Sequence, residues 1–297
     1  MNFFVSLLTL LLIAPLWFQN NDALVLNVTV TTKKGTVIRD LTLENFSITV
    51  DKQPQKILSL TNREMPASVG ILIDTSGSQR GGSAPEIQQP FKHGLEEFFR
   101  KSNPANEYFA LAFNSKTALV QDWTSDYQSI LEKFDSLTFG KQTSMYDALR
   151  SGIEKMNESR NSKHVLILIS DGADNNSKAS FKEVRDLIKG SDVVLYSVGL
   201  NYMTGIADMV VPFNEEGGGV LSELTSLSGG RVLFMNDTQS PKAFNEVFEL
   251  IALELRNQYQ LVIAPSSGDR KWHKLKVAVT KDSSEELIAR TRQGYYR

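Results

Sequence analysis

The segment Asp74-Thr75-Ser76-Gly77-Ser78 places one carboxylate and two hydroxyls at alternate positions, directly after the apolar run Val69-Gly70-Ile71-Leu72-Ile73. The run is β-branched enough to predict a buried strand, and Gly77 lets the backbone turn sharply behind it. In a loop at the carboxyl end of a strand, side chains at i, i+2 and i+4 can converge on one point. Hard cations such as Mg²⁺ take oxygen ligands of this kind, and open α/β sheets bind ligands at that end. Asp, Ser and Gly also dominate ordinary turns and helix caps, so the segment taken alone supports either reading.

Two further stretches point to the same edge. His164–Ser170 reads as a buried strand and ends in Asp171-Gly172, and Gly140-Lys141-Gln142-Thr143 presents a hydroxyl just before a helix expected over Ser144–Met156. Singly, Asp171 reads as a turn residue and Thr143 as an N-cap. Their meaning depends on the elements around them. From Pro66 to about Arg256, strands alternate with amphipathic helices. The helices are Glu86–Arg100, Tyr127–Leu137, Ser144–Met156, Phe181–Ile188, Val220–Leu227 and a last one capped by Ser240 with Pro241 at its first position. The strands between them are Tyr108–Phe113, Leu119–Trp123 as its antiparallel neighbour, His164–Ser170, Asp192–Val198 and Arg231–Met235. This alternation predicts an α/β fold, a doubly wound, mostly parallel sheet with helices on both faces. The three loops then fall on one face of it.

The flanks read differently. Leu24–Thr61 carries period-two strands broken by polar turns, and the chain beyond Gln258 reads as three more strands, YQLVIAP, HKLKVAVT and ELIARTRQGYY. Neither flank can bury a core alone, so the two are expected to close into one small β-sandwich into which the middle is inserted. The expected units are residues 24–64 and 257–297 for the sandwich and 65–256 for the α/β domain. Residues 1–23 are expected to form a signal peptide or an anchor, with a buried first strand as the alternative. The run Phe3–Phe18 is short for a membrane span, which wants about 20 residues, and resembles a secretory h-region without a preceding Lys or Arg.

The middle of the chain resembles the von Willebrand factor type A (VWA) domain, whose metal-ion-dependent adhesion site (MIDAS) uses Asp-x-Ser-x-Ser, a distal Thr and a distal Asp. Asp74, Ser76, Ser78, Thr143 and Asp171 match it. The resemblance also covers the order of strands and helices. Leu41-Thr42-Leu43-Glu44-Asn45-Phe46 and Arg292-Gln293-Gly294-Tyr295-Tyr296 resemble an exported bacterial subgroup described only as von Willebrand factor A-related. That match implies a bacterial source and export to the periplasm, cell surface or medium, with membrane contact only through residues 3–18 if these stay uncleaved. Gln79 and Arg80 stand where integrin-type domains carry acids for a neighbouring cation, which argues against a second adjacent metal. Asp174 reads either as an acceptor behind the site or as a solvated loop acid.

As the resemblance implies, the five residues hold Mg²⁺, with Mn²⁺ or Ca²⁺ as alternatives, and leave a coordination position for an outside oxygen. A Glu or Asp carboxylate of a partner protein is the natural donor. The expected function is therefore a cation-dependent, adhesion-type protein-binding module. A structural envelope scaffold stapled by its metal and a metal-dependent hydrolase are the rivals. Enzymatic activity is not expected. His93, His164 and His273 fall in a helix, at a strand start and in a terminal strand, none in a site loop, and neither H-E-x-x-H nor G-x-S-x-G occurs. Gly217-Gly218-Gly219 lacks the Lys-Ser/Thr of a phosphate loop. A net charge of −2 gives no footprint for nucleic acid, and the absence of cysteine excludes thiolate metal sites and thiol nucleophiles. Gly205–Gly219 reads as a partner-contacting surface loop or a variable insertion, and Tyr295 and Tyr296 as a final sandwich strand.

Overall fold

The computed structural model describes residues 23–76, 84–140, 142–200, 218–235, 237, 240–264, 271–281 and 285–297. Ser78, Gln79, Arg80, the apolar run at residues 3–18 and residues 205–217 lie outside them.

Four strands come first: β1 (Leu24–Thr32), β2 (Phe46–Val50), β3 (Gln53–Gln55) and β4 (Ile57–Thr61). The alternating part follows with β5 (Ser68–Asp74), α1 (Ala84–Lys101), β6 (Glu107–Phe113), β7 (Thr117–Thr124), α2 (Gln128–Phe134) and α3 (Met145–Lys155). It continues with β8 (His164–Ser170), α4 (Phe181–Gly190), β9 (Val194–Leu200), α5 (Gly218–Ser228), β10 (Val232–Met235) and α6 (Pro241–Arg256). The chain closes with β11 (Tyr259–Ile263), β12 (Trp272–Val279), β13 (Leu287–Arg290) and β14 (Gly294–Tyr296).

Among the described residues these strands make three sheets, the largest ordered β10-β9-β8-β5-β6-β7. It is parallel except for β7, which pairs antiparallel with β6. Period-two alternation divides each central strand between two cores. Val69, Ile71 and Ile73 join Val165, Ile167 and Ile169 beneath α1 and α6, while Leu72, Leu166 and Leu168 pack on the other face with Met145, Leu149 and Val184. With both faces covered, every residue of β5, β6 and β9 is buried, which is why these strands read as continuous apolar runs. Gly70 breaks the run because a Cβ there would stand 2.3 Å from the Phe109 ring and 2.6 Å from Leu166.

The strand order also locates the functional end of the sheet. β6 and β7 follow β5 to one side, whereas β8, β9 and β10 build out from its other side. The order of strand addition reverses between β5 and β8, and the loops leaving their carboxyl ends part to leave a crevice.

The terminal segments pair with each other. β1 lies between β13 and β11, and β4 extends that sheet, while β12 joins β2 to β14 in the other. Leu26, Val28 and Val30 of the first sheet face Ile48, Val50, Leu275 and Val277 of the second across a common core. Pro54 sits in edge strand β3, where its missing N–H costs no ladder bond.

One expectation is corrected. ELIARTRQGYY is not one strand but two, β13 and β14, which belong to different sheets. Thr291–Gln293 lie between the two strands, with Gln293 O accepting from the Leu275 N–H of β12 (2.8 Å), and they are also fastened to the α/β domain. The Gln293 N–H donates to Leu227 O (3.0 Å), and the Arg292 guanidinium donates to Lys189 O (3.0 Å) in the last turn of α4.

A buried ion cluster joins α6 to the same strand. Glu254, fully buried, accepts from Tyr196 Oη (3.0 Å) and Arg290 Nη2 (2.7 Å), and Arg231 Nη2 lies 2.8 Å away. Removing one partner from such a cluster leaves uncompensated buried charge, so Glu254→Ala is expected to lower stability by about 3–5 kcal/mol in urea unfolding. A loss below about 1 kcal/mol would show that water reaches the two arginines.

Candidate metal centre

Asp74 ends β5, in register with Phe113 of β6 on one side and one residue past Ile73, which pairs with Ile169 of β8, on the other. Its side chain points into the crevice between β5 and β8. Oδ2 accepts from Ser170 Oγ (2.7 Å) and Oδ1 from the Ser76 N–H (2.8 Å). Asp74 is 5 % exposed and Ser76 and Thr143 are each 1 % exposed, so this is a recessed site.

The loop before α3 is fixed to this strand end through backbone groups. The Thr75 N–H donates to Phe113 O (2.7 Å), the Gly140 N–H to Thr75 O (2.8 Å), and the Ser144 N–H to Asn114 O (2.7 Å). Asn114 Nδ2 also donates to Thr75 Oγ1 (3.2 Å). The loop after β8 closes the third side. Thr143 O accepts the N–H groups of Asn175 and Asn176 (both 3.0 Å), and the Thr143 N–H donates to Asn175 Oδ1 (2.9 Å). Thr143 is therefore clamped at both backbone groups, and its hydroxyl makes no hydrogen bond with a described residue. It is not an N-cap, since that position belongs to Ser144, which makes no side-chain cap bond.

Asp171 follows β8, and its Oδ1 accepts from the Ala173 N–H (2.9 Å), a turn that Gly172 permits with φ +85°. Asp74, Ser76, Thr143 and Asp171 thus come from three loops tied to one another at the crevice, while Ser78 lies outside the described residues. Asp174 faces elsewhere. It accepts from the Tyr146 N–H (3.0 Å) in the first turn of α3 and from Ser177 Oγ (2.5 Å), supplying the carboxylate that the positive end of that helix favours. Asn114, Ser170, Asn175 and Asn176 were not singled out from the sequence. Each stands at a strand end or shortly after the Asp171 turn, so position was the available signal.

Among the described residues the site is short of positive charge. Burial, opposed by hydrogen bonds from Ser76 and Ser170 and reinforced by the charge of Asp171, pushes Asp74 from its ordinary 3.8 up to about 6. Among the described residues no Lys or Arg pairs with either carboxylate. Nor does any cluster of three His, Cys, Asp or Glu form among them, so a cation here would rest on two carboxylates and hydroxyl oxygens. Such a donor set suits a hard divalent cation and not a soft one.

With this geometry in hand, residues 69–173 match the family described as von Willebrand factor type A domain. No curated protein sequence matches the chain. Among solved structures it is similar to the von Willebrand factor type A protein from Catenulispora acidiphila, at 13% identity and TM-score 0.54, over 94% of this chain and 76% of that one. It is also similar to the vWF domain of the type V pili tip protein Mfa5 from Porphyromonas gingivalis, at 12% identity and TM-score 0.51, over 65% of this chain and 97% of that one. A third likeness is to proximal thread matrix protein 1 from the mussel byssus, with a zinc-occupied MIDAS motif, at 16% identity and TM-score 0.50, over 70% of this chain and 50% of that one. At these identities the likeness is one of fold.

A carboxyl whose pKa is raised by folding holds its proton more tightly in the native than in the unfolded chain. Its contribution is full below about pH 4 and is lost as pH rises through about 6. In chelator, Asp74→Asn is expected to be more stable than the parent at pH 7 by about 1–3 kcal/mol, with the difference vanishing near pH 4. Urea unfolding at the two pH values measures this.

Proposed function

We propose that this chain, whose residues 69–173 match the von Willebrand factor type A domain family, is a divalent-cation-dependent protein-binding module that captures an acidic side chain of a partner. One observation carries the reading. Two carboxylates, Asp74 and Asp171, come near each other at the switch point of the sheet, and among the described residues their partners are hydroxyls and backbone amides with no basic side chain. Asp74, Ser76, Ser78, Thr143 and Asp171 would hold the cation, directly or through water. Mg²⁺ is the first choice and Mn²⁺ or Ca²⁺ the alternatives, and the zinc at the MIDAS motif of the mussel byssus protein supports a divalent metal in this fold. When bound, the cation supplies a Lewis-acidic position for an anionic oxygen.

The chain's own residues prepare that position. The Ser76 N–H and Ser170 hydroxyl fix the plane of Asp74, and the clamp on Thr143 sets its hydroxyl before any ligand arrives. Phe139, 41 % exposed on the loop bonded to Thr75, gives the rim an apolar contact for the residues around a partner's acid. No reaction is assigned to the metal site. His164 stands at the far end of β8, about 20 Å along the strand from Asp171. We place the protein outside the cytoplasm, by way of residues 1–23. The fold likeness to a pilus tip domain supports this. Among the described residues no helix is long and apolar enough to cross a membrane.

In a thermal melt, Mg²⁺ at 100 times its Kd is expected to stabilise the parent by about 2.7 kcal/mol, and Asp74→Ala to abolish the shift. Capture of a partner from envelope extracts should require Mg²⁺ and fail in chelator. Thr143→Ala separates adhesion from stapling. It should chiefly lose partner capture, whereas loss of Mg²⁺-dependent stability with capture retained would favour a structural metal. An unchanged melt in Mg²⁺, Mn²⁺ and Ca²⁺ would refute the reading.

A further inference from the structure

At the other end of the central sheet, where the amino ends of the parallel strands meet the terminal sheets, lies an open cleft of about 1470 Å³. Three of its lining residues form a hydrogen-bonded chain. Ser159 Oγ is 2.8 Å from His164 Nε2, and His164 Nδ1 is 2.7 Å from Asp192 Oδ1. A carboxylate only accepts, so Nδ1 carries the ring proton, and Nε2 of the neutral imidazole then accepts from the serine hydroxyl. A nucleophile within reach of a base, and the base oriented by a third group, is the arrangement that activates a serine.

The three side chains come from separate pieces of the fold: the turn after α3, the first residue of β8, and the segment between α4 and β9. The serine turn is firmly held. The Ser159 N–H donates to Met156 O (3.0 Å), the Arg160 N–H to buried Glu107 (2.6 Å) and the Asn161 N–H to Ser68 Oγ (3.1 Å). Ser159 is only half-buried, within reach of a ligand in the cleft. The walls are mixed. Ile153, Leu187 and Tyr295 offer apolar surface, while Arg160 and Asn157 line the same space and can donate N–H groups to a carbonyl oxygen as it gains charge.

We propose that this cleft is a second, metal-independent site that hydrolyses small carboxylic esters, with Ser159 as nucleophile, His164 as general base and Asp192 as the positioning residue. Ser159 Oγ bonds to the ester carbonyl carbon as its proton passes to His164 Nε2. The carbon–oxygen bond to the alcohol breaks, and the departing alkoxide takes that proton. Water, giving a proton to His164, then attacks the acyl carbon. The bond to Ser159 breaks and the proton returns to the serine. The proposal stands on residues at the far end of the sheet from the metal centre and is independent of it.

The test uses the purified full chain in EDTA with a fluorophosphonate probe and 4-nitrophenyl butyrate. One covalent adduct mapped to Ser159, with matching release of 4-nitrophenolate, is the expected result. Ser159→Ala should abolish both, and His164→Gln should slow labelling at least about 100-fold at an unchanged melting temperature. Asp192→Asn should slow it as well, and Asp192→Glu should restore part of the rate. Absence of an adduct on the folded parent, an adduct at another residue, or equal ester turnover by Ser159→Ala overturns the proposal. Because no divalent metal is present, none of these outcomes bears on Mg²⁺ binding.

Discussion

The burial of Asp74 beside Asp171 is the constraint on which the rest of the metal end depends. A carboxylate 5 % exposed at the head of a parallel sheet is costly unless its charge is answered. Here the answer is partial. The Ser170 hydroxyl and the Ser76 N–H satisfy its oxygens, yet no Lys or Arg among the described residues pairs with it, and burial still raises its pKa to about 6. The surrounding loops are held by backbone hydrogen bonds that need no ligand, Gly140 to Thr75 and Asn175 and Asn176 to Thr143. The donors are thereby preorganised, and what would complete them is positive charge.

The terminal segments answer a different demand. Two short β segments cannot bury a core separately, and the chain solves this by interleaving them, so that each sheet contains strands from both ends. The sandwich is then bound to the α/β domain by polar contacts that include Arg292 and Glu254. Arg292 donates to the last turn of α4, where the helix dipole favours a cation, and Glu254 of α6 collects Tyr196, Arg231 and Arg290. Lys163, whose amine burial pushes down to about 7, donates to Leu255 O at the end of α6. The last helix is thus held along its carboxyl half by groups from both parts of the chain.

Local signals made this end of the sheet readable in advance. Asp74 and Asp171 stand directly behind apolar runs, and strand–helix alternation is enough to bring the ends of parallel strands together. Residues whose role depends on distant partners were not readable. Asp174 read either as an acceptor behind the site or as a loop acid, because its contact, the Tyr146 N–H, lies 28 positions away. The break between β13 and β14 could not be seen because the segment there is fastened by Leu227 and Lys189 and not marked by a turn residue. His164 passed as a lone histidine at a strand start, since Asp192 is 28 positions distant and only the fold sets it against the ring.

One divalent cation is proposed to rest among Asp74, Ser76, Ser78, Thr143 and Asp171. Diffraction from crystals grown in Mn²⁺, recorded at the manganese edge, examines it directly. A single anomalous peak at roughly 2.0–2.3 Å from oxygens of that set, lost in Asp74→Ala, is the expected result. A peak seated elsewhere in the molecule, or none with the protein saturated in Mn²⁺, would contradict it.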